Sequence, residues 1–328
     1  MTTPVQPETQ GPRLGAGQRA FAVAALGLIG APLAVALAGL SGVGHRWIDI
    51  LGQFTAPAVL ASALLASGFL ILRRRRWAAA SGAVVALLLA AVWPQWFPPG
   101  AKPEAGAPSV RLYSANLWAR NADVEAIAAS IQAADADIVV LIEVGDAPAA
   151  QLDQLLAAYP HRVGTPRIDR PSGPARSVIA SRYPVVAVRD RPDGLHAVGA
   201  TVRSPLGRLN VVGVHLTRPW PFQEQWGQIE QAMALGGIRA NLSGPVVVVG
   251  DFNSVSSARI GRLVQREAGL IPAPGFPGTW PSALPAAITV TIDQVYRSPD
   301  LAVIRRKLGR PNGSDHRPVV TEITRAAD

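Results

Sequence analysis

The first hundred residues are apolar over long stretches, and the remainder alternates between short apolar runs and amphipathic ones. Residues 20–44, 50–72 and 77–100 carry no charge, and each reaches the roughly 20 apolar residues that a membrane-spanning helix needs. Three successive runs with almost no polar face leave nothing to turn toward water, which argues against a soluble helical bundle. Trp47, Trp77, Trp93 and Trp96 stand near the run ends, as interfacial anchors do. Beyond a Pro-, Gly- and Ala-rich stretch at 94–108 the period shortens. Strands are predicted at 110–118, 138–142, 178–181, 185–189, 197–203, 209–215, 246–249, 292–296 and 319–323. Helical spacing predicts helices at 123–134, 147–159, 222–240 and 256–268. Hairpins interspersed with helices favour a layered α+β domain over a purely doubly wound one. The chain is thus divided into a tail at 1–18, three transmembrane α-helices within 19–97, a linker at 98–109 and one domain at 110–328.

Charge sets the expected orientation. Seven of the 31 lysines and arginines and two of the 22 acids fall in residues 1–100, which leaves 24 basic and 20 acidic residues beyond. The net charge of +9 therefore does not describe a strongly basic soluble domain. Arg13 and Arg19 precede the first run, and Arg73 to Arg76 separate the second from the third. The positive-inside rule puts both groups in the cytoplasm and the C-terminal domain outside, giving a multi-pass protein of the cell membrane. The chain has no cysteine, which excludes a thiol nucleophile and Cys-ligated zinc. A domain of this size buries a sufficient core without disulfides.

Polar groups close nearly every buried strand: Asn116, Glu143, His215, Asp251 with Asn253, Asp293, and Asp315 with His316 before the last. Metal-assisted attack on a phosphate ester needs such a mixture, oxygen ligands for a hard cation and groups able to carry a proton. Taken singly, Asn116 and Asn253 read as turn residues, Glu143 as a first solvent-facing position and Asp315 as a turn cap. Their joint occurrence at strand ends carries the functional reading. His45, His161 and His196 fall outside any motif.

The ordered set Ser114-Ala115-Asn116-Leu117-Trp118, Ile142-Glu143, Gly213-Val214-His215-Leu216, Gly250-Asp251-Phe252-Asn253, Ile292-Asp293 and Ser314-Asp315-His316 resembles the endonuclease/exonuclease/phosphatase superfamily, over roughly residues 110–325. The resemblance implies a DNase I-like four-layer α/β sandwich, two packed mixed β-sheets flanked by helices, and hydrolysis of phosphoesters with Mg²⁺, or alternatively Mn²⁺. It implies Glu143 as metal ligand, with Asn116 beside it and Asp315 as a further carboxylate. Asp251 would orient or deprotonate the attacking water, Asn253 would hold a phosphate oxygen, and His316, its tautomer fixed by Asp293, would bond the scissile phosphate or move a proton. His215 is similar to the second histidine of the nuclease and sphingomyelinase branches. An acid expected before the central hairpin is missing; Asp169 is the nearest, and Arg176 is a candidate phosphate contact instead.

Trp118 and Trp220 are candidates for a wall that stacks on substrate or touches the bilayer, and Trp280 stands on a Pro-rich loop before Asp293. The expected activity is that of a membrane-anchored phosphodiesterase, and the rival is a non-catalytic binding or scaffold protein that keeps the fold. Substrate candidates are nucleic acid, a phospholipid headgroup or a small phosphoester, and no obligate protein partner is implied. The near balance of charge in 101–328 argues against a large basic nucleic-acid groove.

Overall fold

The protein is described here by a computed structural model covering residues 15–169, 173–188 and 194–327. Most of the predicted tail, with Arg13, and the end of the predicted strand at Arg189 lie outside the described residues. In chain order the helical region comprises α1 (Ala16–Ser41), α2 (Arg46–Gly52), α3 (Thr55–Ile71) and α4 (Arg75–Trp96). The domain begins with β1 (Ser109–Asn116), α5 (Val124–Ala134), β2 (Ile138–Val144), α6 (Asp146–Ala150), α7 (Leu152–Leu155), β3 (His161–Gly164), β4 (Arg176–Ser181) and β5 (Val185–Val188). It continues with β6 (His196–Ser204), β7 (Gly207–His215), α8 (Gln225–Ala240), β8 (Val246–Asp251), α9 (Arg259–Ala268), β9 (Ile271–Pro272), β10 (Asp293–Arg297), β11 (Leu301–Leu308) and β12 (Val319–Arg325).

Two six-stranded mixed sheets form, ordered β11-β12-β1-β2-β4-β3 and β5-β6-β7-β8-β10-β9. Within them β1 runs parallel to β2 and β7 parallel to β8. Strand alternation sorts the side chains into layers. Val110 and Leu112 of β1, Ile138, Val140 and Ile142 of β2, Val211 of β7, Val247 and Val249 of β8 and Val295 of β10 fill the space between the sheets. The intervening residues face outward: Val139 and Leu141 meet Ile127 and Ile131 of α5, while Val246 and Val248 share a cluster with Leu235 of α8 and Val264 of α9. Strands covered on both faces read as continuous apolar runs, which is why Val246 to Val249 is four valines. The result is the expected α+β sandwich of two mixed sheets flanked by helices.

Several expectations are corrected. The predicted second span is not one straight helix: α2 and α3 form a pair bent by 63° at a break between them. Two helices, α1 and α4, are long and apolar enough to cross a membrane by themselves, and the bent pair makes a third candidate only if it counts as one span. The break has a polar cause. Gln53 is buried, its Oε1 accepting from Val255 N at 2.7 Å and its Nε2 donating to Ser254 Oγ at 3.3 Å, and Asp49 pairs with Arg259 at 3.1 Å. All three contacts draw α2 and the bend onto the domain. The predicted helix at 147–159 is two short ones, α6 and α7. Strands β3, β9 and β11 were not predicted; β11 is a sheet edge whose Arg305, Arg306 and Lys307 obscure its alternation.

The helical bundle has two distinct ends. At one, Arg73 to Arg76 gather beside Gln18 and Phe21 of α1, with the Arg74 guanidinium 4.9 Å from the Phe21 ring centroid. At the other, α2 and the end of α4 meet the domain: Gly275 N donates to Gln95 O at 2.7 Å, and Trp96 packs edge-on against Phe276.

Close approach of β7 and β8 requires Gly250, whose φ is +134° and whose added Cβ would stand 2.1 Å from Val214 O. Gly250→Ala is expected to destabilise the protein by roughly 3 kcal/mol or more, through backbone strain and overlap combined. Urea unfolding of the full chain checks this, and an unchanged midpoint contradicts it.

Candidate active site

The polar cluster is the continuation of the apolar rows beyond the end of the core. Inward-facing positions run 247, 249, 251 on β8 and 209, 211, 213, 215 on β7, so Asp251 and His215 fall on the same face as the buried valines. Asp293, two residues before inward-facing Val295, shares it. The register lines up His215, Asp251 and Asp293 on neighbouring strands. From the other sheet, Asn116 follows Leu112 by four residues and also faces inward.

Glu143 breaks this rule. Ile142 faces inward, so strict alternation would send Glu143 outward. The β2–β4 register instead shifts between Leu141 and Val144, and Glu143 takes a left-handed φ of 55°. A bulge of this kind re-aims a side chain, and here it turns Glu143 back into the cleft. Trp118 and Asn253, with φ of 59° and 47°, are likewise left-handed. Such conformations cost of order 1–3 kcal/mol each and gather at functional sites.

Asp251 is the hub. Its Oδ2 accepts from Asn116 Nδ2 at 3.0 Å and Asn253 Nδ2 at 3.3 Å, and stands 3.6 Å from His215 Nε2 and 3.9 Å from His316 Nε2. Its Oδ1 accepts from Asn253 N at 2.8 Å. Asp293 Oδ2 lies 2.9 Å from His316 Nδ1, which fixes a proton there and leaves Nε2 toward the cleft. His215 Nε2 is 3.2 Å from Glu143 Oε1, so Glu143 and Asp251 supply the acids that the sequence before the hairpin did not. Burial pushes the Asp251 carboxyl up to about 7, against the lowering effect of His316 and with Asp293 and Glu143 adding to the rise. Burial pulls His316 down, but Asp293 and Asp251 together overcome it and raise the imidazole to about 10.

Asn116, Glu143, His215, Asp251, Asn253 and His316 line a cavity of about 400 Å³ together with Trp118, Asp315 and Trp280. Asp315 is half exposed, its Oδ1 4.0 Å from His316 Nε2 and its Oδ2 accepting from Trp280 Nε1 at 3.4 Å. Asp251, Asp293 and His316 can bring one donor atom each within 4.8 Å of one another. That trio includes an imidazole already bonded to its carboxylate, a poor match to a hard cation that prefers oxygen. Glu143 and Asn116, on adjacent parallel strands, carry the kind of oxygen a hard cation prefers, with Asn116 Oδ1 accepting from Trp118 N at 2.9 Å and Glu143 Oε2 from Ala119 N at 3.2 Å.

Two candidate substrate contacts do not line this cavity. Arg176 pairs with Asp146 at 3.5 Å in a small recess that also includes Glu143. Trp220 packs edge-on against Trp47, with the Arg46 guanidinium 4.1 Å from its ring centroid. Asp169 pairs with Arg167 and borders a second cavity that shares Glu143 and His215. Sequence reasoning missed Ile50, Gln53 and Phe54, which line the main cavity from the α2–α3 bend. The one signal for them was an amide and a carboxylate, Gln53 and Asp49, amid apolar residues.

A family model described as Endonuclease/Exonuclease/phosphatase family matches residues 113–316. Among solved structures, an endonuclease/exonuclease/phosphatase from Beutenbergia cavernae DSM 12333 aligns at 23% identity and TM-score 0.53, over 67% of this chain and 72% of that one. One from Bacteroides vulgatus aligns at 17% identity and TM-score 0.55, over 66% and 99%. A family protein from Bacteroides thetaiotaomicron gives 18%, 0.52, 66% and 98%. At these identities the likeness is one of fold. The comparison with curated proteins gave no match.

Asp293→Asn keeps the shape of the dyad but removes the charge that orients His316. Turnover of bis(p-nitrophenyl) phosphate is expected to fall by about 10²- to 10⁴-fold, with thermal unfolding little changed. Steady-state kinetics with full-length protein checks this; wild-type kcat would exclude the dyad from the reaction.

Proposed function

The chain belongs to the endonuclease/exonuclease/phosphatase family, and we propose that it is a membrane-anchored, divalent-metal-dependent phosphodiesterase whose cleft opens on the extracytoplasmic side. Membership supports phosphoester hydrolysis as the reaction. The observation that carries the finer reading is the group of Asp293–His316, Asp251, His215 and Glu143 converging at one edge of both sheets.

In this reading Glu143 and Asn116 would hold the cation, with Asp315 at the rim as a further carboxylate. When bound, the cation neutralises charge on the phosphate and makes a neighbouring water more acidic. Asp251 accepts the proton of the attacking water, whose oxygen bonds to phosphorus as the phosphorus–oxygen bond to the leaving group breaks. His316 donates from Nε2 to the phosphate or to the departing oxygen, and Asp293 steadies the imidazolium. Asn253 commits one Nδ2 hydrogen to Leu216 O at 2.9 Å, leaving the other for a phosphate oxygen in place of Asp251. His215 contributes a second imidazole donor beside Glu143.

The orientation rests on the two ends of the bundle. Arg73 to Arg76 lie at the end remote from the domain, which the positive-inside rule assigns to the cytoplasm.

His316→Ala and Asp251→Ala are each expected to lower phosphodiester hydrolysis by 10³-fold or more while leaving the protein folded, and chelation by EDTA to abolish it until Mg²⁺ or Mn²⁺ is restored. Activity retained in both variants overturns the mechanism, and a protein that binds but never cleaves phosphoesters favours a scaffold role. A C-terminal alkaline phosphatase fusion is expected to be active, whereas fluorescence from a cytoplasm-only reporter at the same position would reverse the topology.

A further inference from the structure

Part of the apolar wall of the cleft does not come from the catalytic domain. Ile50 and Phe54, from the bend between α2 and α3, line the same cavity as Asn116, Glu143, Asp251 and His316. Phe54 is 42% exposed and Ile50 half-buried, so an apolar surface is held open beside a site built for an anion. The bend is pinned in place. Gln53, between the two, holds the loop after Asn253 through Val255 N and Ser254 Oγ. Asp49 pairs with Arg259, and Arg262 Nη1 donates to Gly39 O at 3.3 Å at the end of α1. The cavity therefore sits at the domain-side end of the helical bundle, with α3, richly apolar on its exposed face, leading away from it.

We propose that Ile50 and Phe54 determine specificity, and that the substrate is a phosphoester borne on an apolar chain embedded in the same membrane. The phosphate lies at His316 and Asn253, and the first part of the apolar chain lies against Ile50, Phe54, Val290 and Ile292, which line the cavity. This proposal deepens the hydrolase reading and rests on it. A polynucleotide is the poorer match. Its successive phosphates need successive cations, and Arg218 is the one arginine or lysine among the described residues lining the cavity. It also needs a groove open along its length, whereas the bend occupies one side. Water-soluble phosphoesters would leave the apolar wall unused.

The test uses full-length protein reconstituted in vesicles of phosphatidylglycerol, phosphatidylethanolamine and cardiolipin in equal parts, with Mg²⁺ or Mn²⁺. Hydrolysis of these lipids is compared, at equal phosphorus, with that of the same lipids fully deacylated and of a single-stranded oligodeoxynucleotide. The lipids are expected to be cleaved at least tenfold faster than either. Phe54→Ser and Ile50→Ser are each expected to lower the ratio of lipid to deacylated rate by about tenfold, the usual scale for an apolar pocket contact, and Phe54→Leu to restore most of it. Thermal unfolding identifies any variant that fails to fold, and Ile50→Ala then replaces Ile50→Ser. An unchanged ratio in folded variants, or faster cleavage of the oligonucleotide or the deacylated esters, overturns the proposal while the hydrolase reading stands. Cleavage of none of the three overturns the hydrolase reading and this inference with it.

Discussion

A carboxylate enclosed at the junction of two sheets has to be answered by donors, and the arrangement around Asp251 follows from that demand. Leaving a charge buried and unpaired costs several kcal/mol, so the groups nearest to it are fixed by necessity as much as by catalysis. Two amides, Asn116 and Asn253, and two imidazoles, His215 and His316, turn toward it. Each then needs support of its own. Asp293 holds His316, Glu143 stands against His215, and the backbone of Trp118 bonds Asn116 Oδ1 at 2.9 Å. The same enclosure that raises the Asp251 carboxyl toward neutrality makes it able to take a proton there.

Much of this was legible in the sequence because strand alternation extends past the core. Val247, Val249 and Asp251 form one row, as do Asp293 and Val295, so an apolar strand followed by an acid two residues on already places that acid at the inner edge. Glu143 was legible by its motif but not by its parity, since the bulge that turns it inward depends on pairing with β4. The missed strands share a different cause. β3 and β11 stand at the edges of the first sheet, where a single neighbour and much exposure leave little alternation to read. The left-handed backbones of Trp118 and Glu143 had no sequence signal, whereas Asn253 is of a residue type that adopts this conformation readily.

Hydropathy predicts three equivalent runs in the helical region, and the middle one is bent by 63°. Composition over a window of twenty residues averages away a single Gln53, whose partner Ser254 lies 201 residues later. A polar side chain within an apolar run is costly unless satisfied, so its presence implies either a cavity or a distant partner. Here it has the partner, and the helix breaks so that it can be reached. Hydropathy thus found the apolar segments while the tertiary contact decided which of them bends.

The docking of α2 and of Gln95 onto the domain has a consequence for how the protein meets its substrate. A catalytic domain on a slack tether sweeps a volume, and its encounters scale with concentration in solution. Here the linker after Trp96 is short and both ends of the contact are hydrogen-bonded, so the height and tilt of the cleft over the helix ends are set by the fold. On the membrane reading, supply is then counted in molecules per unit area of one leaflet. On that same reading, crowding in the leaflet, rather than the content of the surrounding fluid, would govern how often the cleft is filled.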